Sequence, residues 1–408
     1  MINIIEYLMT DQRYMSLVGL VAILGVAFLF SKHKSKVRFR LVATALALQF
    51  LFAYFILNTD IGEIIFAGIA RGFEALYQFA DNGSRFVFGS LADASGPWGV
   101  VFAIKVIPTI IFFGALMAFL FHIGIVQLFV KGIAFVIRPL LGTSGAETLS
   151  VTASSMLGQT EAPLLVKNYL ARMTDSEMFV IMVGGFCHLS GSLLAVYGIM
   201  GVPIKHLLSS TFIAIPGAIL IAKILVPETM VPETAVGGKP VETTRQTKNI
   251  LDAISQGTSD GLRLAVNVAA MLIAFISLIA LVDAILLASV GFSLNDIFAR
   301  AFYGVAYVIG VPAQDRELAG TLLGQKLAIN EFVAYSTFIK AELLPRTKVI
   351  MTYALAGFAN FSSIGIQIGG IGALCPEKRH LLTKLGLRAL LGGTLVNLLN
   401  AVIAGLLI

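Results

Sequence analysis

Two carboxylates in this chain stand inside apolar sequence, and each is embedded in the same pattern. The first copy is Gly158-Gln159-Thr160-Glu161-Ala162-Pro163, followed by Gly185-Phe186-Cys187-His188-Leu189-Ser190-Gly191-Ser192. The second is Gly324-Gln325, then Asn330-Glu331-Phe332, followed by Gly357-Phe358-Ala359-Asn360-Phe361-Ser362-Ser363. Glu161 precedes Gly185 by 24 positions and Glu331 precedes Gly357 by 26. A charge at the bilayer centre costs roughly 2.5–3.5 kcal/mol on insertion scales, so such residues usually face a polar cavity on a solute or ion path. The bland reading is a carboxylate near a membrane surface or one paired with a lysine. Recurrence in a repeat favours the path.

The neutral groups around them narrow the solute. Gln159, Thr160, Asn360, Ser362 and Ser363 supply donors and acceptors, and neither break contains Arg or Lys. Two carboxylates with amides and hydroxyls suit a polyhydroxylated, uncharged solute; the competing reading is hydrogen bonding between helices, about 0.6 kcal/mol per pair. Phe358 could stack a planar ring, although a lone membrane Phe usually only packs. His188 lies mid-span beside glycine and serine. It has the chemistry to carry a coupling proton, or to sit neutral and hydrogen-bonded in a core.

The elements that must position these residues are membrane helices. The 408-residue chain is 57% hydrophobic and 13% charged, with mean hydropathy +0.90 and 39 Gly. A soluble domain has about a quarter of its residues charged, and the short alternating segments of a barrel are absent. The expectation is an all-α polytopic membrane protein. It has about eight transmembrane helices plus two re-entrant helical hairpins in an inverted repeat. Basic loops set orientation: Lys32–Arg40 is the densest and is assigned to the cytoplasm, which leaves the N-terminus periplasmic. The N-terminus reads as retained, with Met1–Arg13 a polar-flanked lead-in.

In order, the chain divides as follows. Residues 1–140 hold N-terminal spans (Met15–Ser31, Phe39–Leu57 and about Val106–Val130, within an apolar stretch Trp98–Ile137 too long for one crossing). They also hold an interfacial amphipathic helix, Ile61–Ala80, ended by an Asp81-Asn82-Gly83-Ser84 turn. Residues 141–226 hold the first hairpin (Glu147–Leu170), a fourth span (Glu177–Met200) broken near Cys187–Gly191, and a fifth (Leu207–Val226). Residues 227–249 are a cytoplasmic linker. Residues 250–311 hold a short amphipathic helix (Ile250–Arg263), a long sixth span (Leu264–Val290) and a weaker amphipathic segment (Leu294–Gly310). Residues 312–374 hold the second hairpin (Leu318–Phe338) and a seventh span (Val349–Gly372) broken around Asn360–Ser363. Residues 375–408 hold the eighth span (Leu381–Ile408). Three crossings separate the hairpins, which places them on opposite sides. Lys340, Arg346 and Lys348 then fall outside, against the positive-inside trend.

Enzyme chemistry finds little support. Gly257-Thr258-Ser259-Asp260-Gly261 has the form of a hydrolase elbow but lies in a helical pattern, not between strand and helix. No phosphate-cradling loop suggests an ATP motor. The histidines His33, His122, His188, His206 and His380, and the cysteines Cys187 and Cys375, have no metal-ligand spacing. A membrane-embedded hydrolase and a purely structural scaffold are the rivals from other classes.

The segments Gly158–Glu161, Gln325–Tyr335 and Gly357–Gly365 closely resemble those of concentrative nucleoside transporters, over essentially the whole chain. The resemblance implies a homotrimer with a central scaffold and an outer transport domain that carries both hairpins and moves as an elevator. Gln159, Thr160 and Glu161 would read the nucleobase, flanked by Leu193 and Phe358. Glu331, Asn360 and Ser363 would bind the ribose hydroxyls. The sixth span would help form the trimer contact. Sodium-coupled relatives typically carry Asn where this chain has Ser154, and a small Ser or Thr where it has His188. Carbonyls of Leu157 and Leu189 remain available for a cation, but the imidazole points to protons over sodium. The expected function is therefore uptake of a nucleoside such as uridine across a bacterial inner membrane, coupled to H+ or Na+, with no organic cofactor, no nucleic acid and no enzyme activity. A sodium symporter, or a facilitator of another small polyhydroxylated solute, is the alternative within transport.

Overall fold

A computed structural model describes residues 13–93, 101–235 and 247–408 of the chain. The helices used below are α1 (Arg13–Leu29), α2 (Phe39–Asn58), α3 (Asp60–Phe88), α4 (Phe102–His122), α5 (Ile125–Leu141), α6 (Gly145–Ser154), α7 (Asp175–Cys187), α8 (Gly191–Ile199), α9 (Ile204–Leu225), α10 (Ile250–Val290), α11 (Leu294–Val308), α12 (Arg316–Ala328), α13 (Glu331–Phe338), α14 (Pro345–Leu355), α15 (Phe361–Leu374) and α16 (Arg379–Leu407). Six helical segments among the described residues are long and apolar enough to cross a membrane, and α1 and α15 are shorter apolar helices. With α14–α15 taken as one broken crossing, this makes the eight expected spans.

Hydrogen bonds between distant segments give the topology. At one end Lys32 N donates to Leu225 O (2.8 Å), Lys32 pairs with Asp175 (3.6 Å) and Lys378 Nζ donates to Met173 O (2.7 Å). At the other end Arg13 Nε and Arg346 Nη1 both donate to Ile408 O (2.9 Å each). Arg13 and Ile408 thus share a side, as an even number of crossings requires. The base of the first hairpin belongs to the first end, because Ser144 Oγ donates to Glu177 Oε1 (2.6 Å) and joins the capping boxes of α6 and α7. The base of the second belongs to the other, where Leu344 N donates to Asp315 Oδ2 (3.1 Å) beside Arg346. The repeat is inverted. The guanidinium of Arg346 also bonds Gly405 O (2.7 Å). It caps the carbonyl end of α16.

The core is built on α7, α9 and α16. The most apolar stretch of the α7–α8 crossing is wholly buried, whereas that of α10 has no buried residue within the chain. Gly392 and Gly393 let α7 approach α16: a Cβ at Gly393 would lie 2.3 Å from Phe186 Cβ. The α4–α10 pair is equally close. A Cβ at Gly257 would stand 2.5 Å from Gly114 O, and one at Gly261 2.9 Å from Ile110 O. Small residues at such contacts replace the hydrophobic drive that lipid removes.

Several sequence expectations are corrected. The amphipathic helix α3 does not stop at Asp81–Ser84 but runs to Phe88, ending at Gly89 with φ +56°. Asp81 instead binds Arg85 (2.7 Å) and Lys105 (2.6 Å), and Ser84 Oγ donates to Ile104 O (2.9 Å), so tertiary partners override the local turn signal. The third span is not Val106–Val130. It is α4, closed by Gly124 at φ +90°, and α5 is a separate helix. Residues 250–290 form one continuous helix rather than a short helix plus a span. The seventh span breaks at 356–360, one turn earlier than expected. Of the linker 227–249, residues 236–246 lie outside the described residues, as do lead-in residues 1–12 and Trp98. Its first part is packed: Thr234 O accepts from Gly145 N (2.8 Å) and from Arg138 Nη2 (3.2 Å).

Both helix breaks meet at one residue. Asn397 Nδ2 donates to Cys187 O at the end of α7 (2.9 Å) and to Ala356 O after α14 (2.7 Å), and Asn397 Oδ1 accepts from Lys326 Nζ (2.7 Å). Gly357 passes with φ +152°, where a Cβ would lie 2.6 Å from Asn397 Oδ1. Asn397→Ala strands two carbonyls and takes one of its two acceptors from Lys326 Nζ. At about 0.6 kcal/mol per interhelical bond the loss is about 2 kcal/mol before the desolvation of the orphans is added. The expected outcome is a lower Tm of the purified protein in detergent; an unchanged Tm would remove the bridging role.

Candidate functional site

The two hairpin tips and the two breaks line one cavity of about 920 Å3. The first tip is a tight turn: Gly158 O accepts from Glu161 N (3.1 Å), and Glu161 Oε2 accepts from Gly158 N (3.2 Å). Gln159 is buried beneath it, with Gln159 Nε2 donating to Ser363 Oγ (3.4 Å) and Gln159 Oε1 accepting from Gln367 Nε2 (3.2 Å). Thr160 fits only because Gly370 lacks a side chain; a Cβ there would lie 2.3 Å from Thr160 Cγ2. The Glu161 side chain is open to the cavity, while Leu193 is buried and Phe358 half-buried along its wall.

The second tip is held more firmly. Asn330 caps α13, accepting from Val333 N (2.9 Å). Glu331, first in that helix and 5% exposed, accepts from Tyr197 Oη at Oε1 (3.0 Å) and from Asn360 Nδ2 at Oε2 (2.9 Å). Asn360 in turn caps α15, its Oδ1 accepting from Ser363 N (2.9 Å) and Ser362 Oγ (2.7 Å). A helix N-terminus therefore faces the Asn360 amide, and the amide fixes the carboxylate. The Tyr197 ring packs on Tyr335 with centroids 4.6 Å apart. The arrangement presents a carboxylate, an amide and hydroxyls on one wall, the geometry for a diol, with an aromatic ring and a leucine beside it.

All eight expected solute contacts (Gln159, Thr160, Glu161, Leu193, Glu331, Phe358, Asn360 and Ser363) line this cavity. The four cation candidates lie behind it. Ser154, His188 and Leu189 are buried, and Leu157 is buried at the cavity edge. Gly191 N donates to Met156 O (2.9 Å), tying the first hairpin turn to the break that holds His188 and Leu189. Ser154 Oγ donates back to Ser150 O (3.1 Å). His188 Nδ1 lies 2.7 Å from Gly184 O, and the buried ring also reaches the Thr211 backbone. No group of three or more His, Cys, Asp or Glu among the described residues could hold a metal ion.

Sequence reasoning missed several participants. Tyr197 is an ordinary apolar-span tyrosine until folding brings it to Glu331. Gln367, Lys326 and Asn397 likewise become meaningful only through contacts across the chain. One wall had a signal: Gln256, Asp260, Arg263 and Asn267 fall on a single face of α10 and line the cavity opposite the hairpins. That spacing is readable as a polar stripe in an apolar span. The Gly257–Gly261 segment that resembles a hydrolase elbow is mid-helix packing against α4.

Comparison with known proteins gives the family. Residues 206–405 match the family described as Na+ dependent nucleoside transporter, C-terminus, residues 18–91 its N-terminus, and residues 103–203 a Gate domain described as nucleoside recognition. The nucleoside permease NupC of Helicobacter pylori is 37% identical, over 96% of this chain and 97% of its own length. The sodium/nucleoside cotransporter 1 of Rattus norvegicus is 35% identical over 97% of this chain, which spans 64% of the rat protein. The solved structure of CNTnw in an inward-facing, substrate-bound state superposes with a TM-score of 0.92 at 38% identity, covering 97% of this chain and 98% of that one. These relatives are transporters and permeases rather than enzymes. A membrane body of broken helices and paired hairpins, shared from end to end with such proteins, has one reading: the chain belongs to the concentrative nucleoside transporter family.

Proposed function

We propose that this protein imports nucleosides, uridine among them, across a bacterial inner membrane by symport with a cation. The observation that carries the reading is Glu331, held by Tyr197 and Asn360 on the wall of a cavity reached by both hairpin tips. In this reading Glu331, Asn360 and Ser363 engage the ribose hydroxyls. Gln159, Thr160 and Glu161 read the base between Leu193 and Phe358. A bare base has no use for the ribose trio.

The division of labour follows the two walls. The hairpins with the broken spans (141–226 and 312–374) form a transport domain, while 1–140 and 250–311 form a scaffold. The α4–α10 glycine contact makes that scaffold rigid, and the apolar, unburied face of α10 suits a subunit contact in a homotrimer. An elevator movement slides the transport domain past α10. The basic loop Lys32–Arg40 lies in the cytoplasm and the N-terminus in the periplasm. One positive charge crossing 100 mV releases about 2.3 kcal/mol, enough for roughly 40-fold accumulation of a neutral solute at about 1.4 kcal/mol per decade.

Protons are the coupling ion we favour, with the buried His188 at the break of the fourth span as the carrier. Sodium is the second reading, supported by the family description, with the carbonyls of Leu157 and Leu189 as its candidate ligands. Labelled uridine uptake into proteoliposomes, with sodium and proton gradients imposed separately, tests both. Uptake driven by protons alone and lost in His188→Ala supports the imidazole; uptake driven by sodium alone sinks it.

Glu331→Gln and Asn360→Ala are expected to reduce uptake at least 100-fold while the protein remains folded and monodisperse. Near-normal uptake by either would remove the proposed ribose site.

A further inference from the structure

A charged side chain on a membrane helix is costly unless it meets water or a partner. On α10 the polar side chains Gln256, Asp260, Arg263 and Asn267 recur every three or four residues and line the cavity. From Val268 to Val282 the same helix carries no charged residue. The charged part of the stripe therefore belongs only to the half of α10 that starts at Ile250, the cytoplasmic half in the orientation proposed above. Arg263 is the only basic side chain on the cavity lining among the described residues, against three acids, Glu161, Asp260 and Glu331. It is exposed and makes no ion pair among those residues.

Close contacts put Arg263 at the depth of the first hairpin tip. Gly191 N donates to Met156 O (2.9 Å), and a Cβ at Gly191 would lie 3.6 Å from Met117 Sδ on α4. One turn along α4, a Cβ at Gly114 would lie 2.7 Å from Gly257 O and 3.1 Å from Gly261 Cα. The turn that runs from Met156 to Glu161 and the segment of α10 that holds Asp260 and Arg263 thus flank the same cavity at one level. The two carboxylates of the hairpin wall differ in what they are free to do. Glu331 has Tyr197 Oη and Asn360 Nδ2 on its two oxygens. Glu161 has only Gly158 N (3.2 Å) among the described residues, and its side chain opens to the cavity. Opposite charges in a cleft with apolar walls attract more strongly than they would in bulk water.

We propose that Arg263 is the countercharge of the empty site: its guanidinium draws Glu161 toward α10 when no nucleoside is bound, and a nucleobase on Glu161 ends that attraction. Arg263 is a positioning residue, acting on the carboxylate and not on the solute. Its effect is confined to one half-cycle. A loaded transport domain has Glu161 occupied and carries no such tie. An empty one must part the two charges before it slides toward residues 268–282, where no basic side chain of α10 replaces the guanidinium. Arg263 therefore holds the empty carrier at the cytoplasmic end of its stroke and slows its return. The inference rests on the proposed import by elevator movement.

The test separates the empty return from the loaded crossing in proteoliposomes. Wild-type uptake of labelled uridine is measured first; its failure would sink the transport reading itself, whereas the variants below judge Arg263 against a working wild type. Net uptake at uridine well below KM includes the empty return. Exchange with saturating uridine on both sides does not. Arg263→Gln and Arg263→Met are each expected to raise net uptake at least threefold and to leave exchange within twofold of wild type, a gain that a folding defect cannot produce. Arg263→Lys, which keeps the charge, is expected to match wild type in both. In a Glu161→Gln background, adding Arg263→Gln is expected to bring no such rise, since the two groups act as a pair. A smaller rise in both neutral variants overturns the proposal. So does a change in exchange beyond twofold, which would place Arg263 on the loaded path, or a threefold rise that persists in Glu161→Gln, which would assign the effect to another carboxylate.

Discussion

The constraint on which the rest of this structure depends is the satisfaction of backbone carbonyls where two helices stop inside the membrane body. Water is not there to cap them, so the protein must. Asn397 does this for both breaks at once, giving its two N–H groups to Cys187 O and Ala356 O. A single amide thereby fixes the distance between the two half-helix ends, and α16, which carries it, is accordingly a central and largely buried helix. Everything at the solute cavity inherits its position from this join. His188 and Asn360 follow the two breaks, and Asn360 in turn orients Glu331.

The same need explains why polar residues in so apolar a chain are found in partnerships. Ser144, Glu147, Glu177 and Lys223 knit the base of the first hairpin to the fourth and fifth spans, with Lys223 Nζ 2.7 Å from Glu147 Oε2. Gln49 and Asn400 pair at 2.7 Å deep between α2 and α16. A buried polar group without such partners is costly, so each of these is placed by its mate. Glu161 differs from these in that its side chain is open to the cavity.

The cavity has two walls of different character. The hairpin wall is assembled from short helices, turns and caps, each replaceable in orientation as a unit. The opposite wall is one uninterrupted 41-residue helix, α10, locked to α4 through glycine-to-backbone contacts. One long uninterrupted helix thus faces a body of broken elements across the cavity.

Much of this was legible in the residues alone. Apolar length and charge placement dictate membrane helices, because hydrocarbon tolerates few alternatives, and the repeated carboxylate with its Gly-Phe-x-polar-x-Ser break marks where those helices must be interrupted. That pattern together with the family resemblance picks out eight residues that line the cavity, and counting crossings gives the inverted order of the hairpins. Local signals failed where tertiary partners outvote them. The Asp81–Ser84 turn became helix because Arg85, Lys105 and Ile104 O claimed its side chains, and the apolar run after Phe102 split at Gly124, where a left-handed residue ends a helix that composition alone would extend. Tyr197, Lys326, Gln367 and Asn397 could not be found from sequence, since each acquires its role from a partner 28 or more positions away. Sequence by itself determined which segments enter the membrane and which carry polar chemistry, since both depend on the transfer of individual side chains from water. Only the tertiary structure decided how the carbonyls and charges are satisfied, since a hydrogen bond requires two groups at one point in space and composition cannot specify that meeting.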